Sequence, residues 1–356
     1  MRDVLLEPLM GGLNSVLDYM SQHVLTCLIP AFFIAGAIAA FIKKDAILKY
    51  FGPRTRKAVS YPVAAVSGTV LAVCSCTILP LFAGIYKKGS GLGPATTFLF
   101  AGPAINVLAV VYTAQVLGYD LGLARAVSAI VLSVVIGLLM GFIFRREEQG
   151  ASEPRGARAM PIDAENARPR WVVPMFFALL IAVLLIGSSK LDWAPKLAAI
   201  YLLTIAVAII LIYYFSKDEV TDWGMETWDL IKKIFPILLI GTFAVGVIAY
   251  FVPAETFRPY LGDNSLSSTL LASVIGSLLY MPTLLEVPII GTTFGYSAGI
   301  MGEGPALALL LNGPSLSLPS MIVIYKILGL RKTAAYVLMV VVFSTMAGMI
   351  YGALVG

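Results

Sequence analysis

"GTVLAVCSCTILPLFAGIYKKG", residues 68–89, sets two thiols one residue apart, Cys74 and Cys76, inside an apolar run and follows them with Pro80. About fifteen apolar residues precede the thiols and about ten follow them, each short of the ~20 that a helix needs to cross a bilayer. The stretch therefore reads as a hairpin of two half-helices, over 59–86, that enters and leaves a membrane on one side, with "CSCTILP" at its tip. Lys87 and Lys88 then lie on the cytoplasmic side.

The rest of the chain supplies the membrane. Its 356 residues are 59% hydrophobic and only 13% charged, with a mean hydropathy of +0.90, far from a soluble domain. Apolar runs of spanning length recur at 24–42, 122–144, 171–187, 196–215, 234–252 and 333–354, which excludes one signal peptide plus a soluble body. Uninterrupted runs also argue against a β-barrel, whose strands alternate, so the expected fold is an all-α polytopic bundle. The net charge of +5 sits in loops without interleaved aromatics and reads as topology, which excludes nucleic acid as a partner. Three cysteines are too few for a disulfide framework, and Cys74 and Cys76 bridge poorly at i, i+2, so all three are taken as free thiols.

Two halves of the chain share ordered landmarks. Pro30 matches Pro236, "KYFG" (49–52) matches "PYLG" (259–262), and Gly68 and Pro80 match Gly276 and Pro288. "FLFAGPAIN" (98–106) matches "LLLNGPSLS" (309–317), and Gly137 and Gly141 match Gly348 and Gly352, with the separation drifting only from 206 to 211 residues. The loop after the first helix carries Lys43, Lys44, Lys49, Arg54, Arg56 and Lys57, whereas its counterpart carries Arg258 beside Glu255 and Asp263. Later loops swap the bias, 117–125 being poor in positive charge and 325–332 rich in it, so the copies are expected to be inverted, as in many secondary transporters.

The expected organisation is an interfacial segment (1–23), repeat one (24–144), a cytoplasmic loop (145–170), two linker spans (171–215), an interfacial helix with Trp223 and Trp228 (216–233) and repeat two (234–356). Each repeat would hold three spans and one re-entrant hairpin. That makes eight spans with both termini outside, with ten full spans as the alternative. The second hairpin, about 266–296, would bring "MPTLLEVP" (281–288) to meet the first tip near mid-membrane, where half-helix ends form a dipolar site. The breaks "AGPAIN" and "NGPSLS" add freed backbone groups and the side chains of Asn106, Asn312, Ser315 and Ser317.

Cys74 and Cys76, sharing their turn with Ser75 and Thr77, can supply soft ligands to a soft cation or thiophilic compound, although two thiols make no closed zinc site. Thr283 belongs to the opposing tip. Glu286 is the one carboxylate deep in a predicted membrane segment and is the candidate for a coupling proton. Cys27 reads as packing, His23 as interfacial, and Arg125, at the start of a helix, as an interfacial anchor on the outside. No nucleophile–base pair, phosphate loop or HExxH motif is present, so neither an enzyme nor a cofactor is expected.

At "CSCTILPLFAGIYKKGSGLGPATTFLFAGPAINVLAV" (74–110) the chain resembles a bacterial and archaeal predicted-permease family that includes ArsP-like efflux permeases for trivalent organoarsenicals and proteins assigned as copper/zinc exporters. The resemblance runs over roughly 24–354. It implies a multi-pass inner-membrane permease whose cysteines contact a thiophilic substrate, which maps onto Cys74 and Cys76 as ligands of a transported metal or metalloid. The expected function is secondary-active efflux by alternating access. The rival expectations are uptake of a small sulfur-containing anion and a non-transporting membrane scaffold. The expected partners are the bilayer and the small substrate itself, with a homo-oligomer left open.

Overall fold

The computed structural model describes residues 2–21, 28–41, 55–71, 75–150, 169, 171–188, 192–251, 259–279, 281 and 286–355. Fourteen of its helices matter here. The first seven are α1 (Arg2–Tyr19), α2 (Ile29–Phe41), α3 (Lys57–Leu71), α4 (Ser75–Lys87), α5 (Leu92–Ala104), α6 (Val107–Val116) and α7 (Tyr119–Ile143). They are followed by α8 (Val172–Ser188), α9 (Trp193–Tyr214), α10 (Lys217–Phe251), α11 (Leu266–Leu278), α12 (Glu303–Asn312), α13 (Leu318–Leu328) and α14 (Leu330–Val355). No strand occurs among the described residues.

Three helices, α7, α9 from Ala194 and α14, are long and apolar enough to cross a bilayer. The clearest sign of lipid is α9, whose apolar window is only 11% buried and which leaves Tyr201, Leu202 and Ile212 exposed. A helix apolar all round and barely covered by protein has no stable surroundings in water, so the protein is membrane-embedded. The break at "AGPAIN" also forms: Leu92–Ala104 and Ala109–Val116 meet at 42° across it. Of the two predicted hairpin tips, 74–80 and 281–288, residues 74 and 282–285 lie outside the described residues, while 75–80 form the first turns of α4 and 286–288 a short helical turn.

The span at 234–252 and the stretch 216–233, expected as a separate interfacial helix, are one 35-residue helix, α10, with Pro236 inside it. At about 1.5 Å per residue α10 is roughly 52 Å long, well beyond a hydrocarbon core of about 30 Å, so it also projects its charged first half past the span. Tertiary burial holds that first half in place. Trp223 is buried, donates its indole N–H to the Phe33 carbonyl at 2.9 Å and packs edge-on against Phe33 and Phe176, while Phe41 and Phe215 complete the cluster. Aromatic pairs prefer such tilted arrangements. Trp228 stays exposed. Lys87, at the end of α4, reaches Glu226 on α10 at 2.5 Å.

Close helix packing in the two halves uses matched glycines. α3, α5 and α7 pack together, as do α11, α12 and α14. In the first set, a methyl on Gly137 would lie 2.8 Å from the Gly93 carbonyl and would overlap Thr97 Oγ1. In the second, a methyl on Gly304 would lie 2.8 Å from the Gly348 carbonyl, and one on Gly352 2.8 Å from Asn264 Cγ. Small residues let helix backbones approach where lipid offers no hydrophobic driving force between helices. Two contacts near the other ends of the long helices fix their sense. Glu147, just past α7, lies 4.0 Å from Arg331 and 3.8 Å from Lys332 at the start of α14. The Lys332 ammonium also lies 5.9 Å from the Phe144 ring centroid. α14 thus begins where α7 ends, and the two pack antiparallel.

Gly137→Val and Gly348→Val force the same overlap in each half. Each should lower the thermal unfolding midpoint in detergent by the equivalent of about 1–3 kcal/mol or more, typical of overpacking. An unchanged midpoint in either variant would show that the helices are not in backbone contact there.

Candidate functional site

The centre of the bundle holds a charge pair. Arg125, six residues beyond the start of α7 and therefore about 9 Å along its axis, is completely buried. Its Nη2 lies 3.4 Å from Glu286 Oε2, and Glu286 is equally buried. Nη1 donates to Thr113 Oγ1 at 2.8 Å, and that hydroxyl donates to the Ala109 carbonyl at 2.7 Å, which fixes its lone pairs toward the guanidinium. The expectation of an interfacial anchor for Arg125 is thus corrected. Its face of α7 turns inward, between α6 and the turn that carries Glu286, where a carboxylate waits 161 residues away in sequence.

Glu286 opens a short helical turn, Glu286–Pro288, that widens into a π-helical turn, Ile289–Thr293. Pro288 is tolerated in a first turn because its missing N–H would have no intrahelical partner there. π-turns are rare and cluster at functional sites. Gly313, just past α12, approaches closely: a methyl on it would lie 3.4 Å from Glu286 Oε1. The pair therefore joins α6 and α7 to the Glu286 turn and the end of α12.

The pairing is incomplete. Among the described residues Arg125 Nε and Glu286 Oε1 have no hydrogen-bond partner, and the two groups touch through one long contact in place of a two-pronged fork. A buried ion pair must offset a desolvation cost of several kcal/mol per ion, and it does so only with good geometry and satisfied partners. Half-made pairing of this kind leaves donor and acceptor capacity for something else.

The residues singled out from sequence have varied surroundings. Asn312 is fully buried and donates to the Ser273 carbonyl at 2.6 Å, while its Oδ1 has no partner among the described residues. Thr345 donates to Ser273 Oγ at 2.9 Å, adding a polar seam between α11 and α14. Asn106 is buried at the α5–α6 break and accepts from the Ala109 amide at 3.4 Å. The Ser315 hydroxyl returns to the Leu311 carbonyl, and Ser317 caps α13 through a reciprocal bond with Ser320, so both serve local backbone. Thr77 is buried on α4. Cys74 and Thr283 lie outside the described residues. Ser75 and Cys76 stand in the first turn of α4, and their side chains lie outside the description.

Arg125 and Thr113 were missed from sequence. The available signal was electrostatic: Arg125 is the one charge in the apolar run 122–143, and Glu286 is a lone carboxylate deep in another such run. Opposite lone charges in apolar segments are expected to pair.

Comparison with known proteins gives consistent matches. The profile of a family described as "Predicted permease" (ArsP_1) matches residues 9–353. The chain is 45% identical over 352 residues to "UPF0718 protein MJ0584" of Methanocaldococcus jannaschii, covering 96% of this chain and 94% of that one. It is 24% identical over 294 residues to "UPF0718 protein YraQ" of Escherichia coli K12, covering 82% and 67%. No solved structure matches.

Removing Glu286 should cost more than removing Arg125, because an orphaned carboxyl can shed its charge by binding a proton and a guanidinium cannot. Glu286→Leu is expected to destabilise by about 3–5 kcal/mol, Arg125→Leu by less, and the double variant by less than the sum of the two. Thermal unfolding in detergent measures this cycle; additive losses would mean that the two charges are not coupled.

Proposed function

Because this chain belongs to the predicted-permease family, we propose that it is a secondary-active permease that moves a soft, thiophilic small molecule or ion by alternating access. The observation that carries this reading is the buried Arg125–Glu286 pair, which ties the two halves of the chain together through charges rather than through apolar packing. A permanently closed scaffold gains nothing from such a pair, since well-packed hydrophobic residues of similar volume are commonly as stable or more so. A machine that must break and remake a central contact does gain from it.

The two halves are read as inverted repeats. Gly93, Gly137 and Gly141 pack as do Gly304, Gly348 and Gly352 at the same offset of 211 residues, and the antiparallel course of α7 and α14 is what inversion requires of equivalent helices. The polytopic arrangement in the inner membrane with both termini outside, and the two re-entrant tips, belong to the same proposal. Cargo is taken at Cys74 and Cys76, whose soft sulfurs suit a trivalent arsenical or another thiol-reactive species. Direction depends on how proton and cargo share the charge pair. Exchange of one for the other gives efflux, and joint binding gives uptake down an inward proton gradient.

Proteoliposome flux tests the reading with a panel of a trivalent arsenical, copper(I), zinc and the sulfur oxyanions sulfite and thiosulfate. The parent chain should move at least one of them. The Cys74→Ser/Cys76→Ser variant, inserted to the same level, should move it at least tenfold more slowly. Equal flux in that variant would remove the thiols from the site. A parent that moves none of the panel would overturn the permease reading.

A further inference from the structure

We propose that Arg125 is the binding site for an anionic cargo, an oxyanion of a soft element, and that each anion enters together with one proton carried by Glu286. This rests on the permease reading above and narrows its cargo from any thiophile to an anion.

The unused edge of the guanidinium carries the argument. Arg125 spends Nη1 on Thr113 and points Nη2 at Glu286 over 3.4 Å, while Nε, on the same edge as Nη2, has no partner among the described residues. The Nε–Nη2 edge of an arginine is the fork that receives two oxygens of one anion, whether a flat carboxylate or a phosphate-like oxyanion. Thr113 supplies the orientation: with its own proton committed to the Ala109 carbonyl, it holds Nη1 and hence the plane of the fork. An anion and the Glu286 carboxylate then compete for the same cation.

Charge decides how the competition resolves. With Glu286 ionised, the pair is neutral, and a bound anion would leave an uncompensated negative charge inside an uncharged shell. Protonation at Glu286 Oε1, the oxygen without a partner among the described residues, removes that charge and leaves Arg125 facing the anion alone. When the proton leaves, the carboxylate reclaims Nη2 and the anion is expelled.

Among the described residues packed against the pair no other charge intervenes. α6 contributes Thr113 and, as its single titratable residue, the partly exposed Tyr112. α7 carries Asp120 near its start besides Arg125. The π-turn Ile289–Thr293 carries none, and Gly313, just past α12, faces the site, with Glu303 at the far end of that helix, ten residues back. The same arithmetic disfavours metal cations. A cation beside Arg125 meets a like charge whether or not Glu286 is protonated, and like charges in a dry site are strongly repulsive.

The test uses the full-length chain in detergent and in liposomes with sulfite and selenite in mildly acid buffer, where both are monoanions, as probes and zinc, copper(I) and the trivalent arsenical as counter-probes. Adding a bound oxyanion to the wild-type chain in weak buffer should draw about one proton from solution per anion, read with a pH electrode. Uptake into liposomes should rise when the outside is made more acid. Arg125→Lys keeps the charge and loses the fork, and should weaken oxyanion binding at least tenfold. Glu286→Gln should bind the anion as well or better and lose the pH dependence of binding. A wild-type chain that binds oxyanion without proton uptake, or an Arg125→Lys variant that binds it as well as the parent, would overturn the proposal. Flux of zinc, copper(I) or the arsenical with no response to any oxyanion would overturn the anion site and leave the permease reading standing. No flux of any probe would overturn both. Should Arg125→Lys fail to fold, the wild-type proton count and the Glu286→Gln profile decide the matter.

Discussion

Arg125 carries a charge it cannot shed, on a helix otherwise uncharged from Leu121 to Ile143, and its burial is tolerable only while Glu286 stands opposite. That requirement organises the centre of the bundle. α6 must lie close enough for Thr113 to hold one side of the guanidinium, the Glu286 turn must sit against α6, and Gly313 lies beside the carboxylate, where a methyl would stand 3.4 Å from Oε1. Three separate parts of the chain are thereby held in register by a contact that apolar packing alone would not specify.

Around this centre the packing is duplicated but the chemistry is not. The glycine contacts of α5 and α7 recur between α12 and α14. Within the proposed duplication, the position of Glu286 corresponds to Ile78 in the first half, and Gly102 meets Ile78 just as Gly313 meets Glu286. The position of Arg125 corresponds to Tyr336, fully buried and with no partner for its hydroxyl among the described residues. Glycine contacts of the same kind thus flank a charge pair that has no counterpart at the matched positions. The first half contributes the cation and the second the anion.

The incomplete geometry gives this centre its functional character. A fully forked, fully bonded pair would be a lock, whereas this pair makes one long contact, and among the described residues Arg125 Nε and Glu286 Oε1 have no partner. The polar seam of Asn312, Ser273 and Thr345 continues from Gly313 between α11 and α14, so polar groups extend from the pair into the second half.

Much of this was legible in the chain itself. Hydropathy set the bilayer as solvent, because backbone in lipid must be helical and apolar runs of that length have no other use. The Pro and Gly landmarks marked the α5–α6 break and the close helix contacts, since those residues act through local geometry that needs no knowledge of neighbours. Burial of Glu286 followed from its isolation in an apolar run. Three things did not follow. Trp223 looked interfacial because an amphipathic stretch does not reveal whether its apolar face meets lipid or Phe33, Phe41 and Phe176. Ser315 and Ser317 looked like site residues because a hydroxyl's partner is a tertiary or capping matter, and here it is local backbone. Arg125 near a helix start looked like an anchor because the direction a side chain faces depends on how its helix is rotated in the bundle. Composition and pattern determine the solvent and the helices. Only the folded arrangement decides which buried charges meet, because an ion pair 161 residues apart in sequence is made by packing, and the sequence shows only that each charge stands alone in an apolar run.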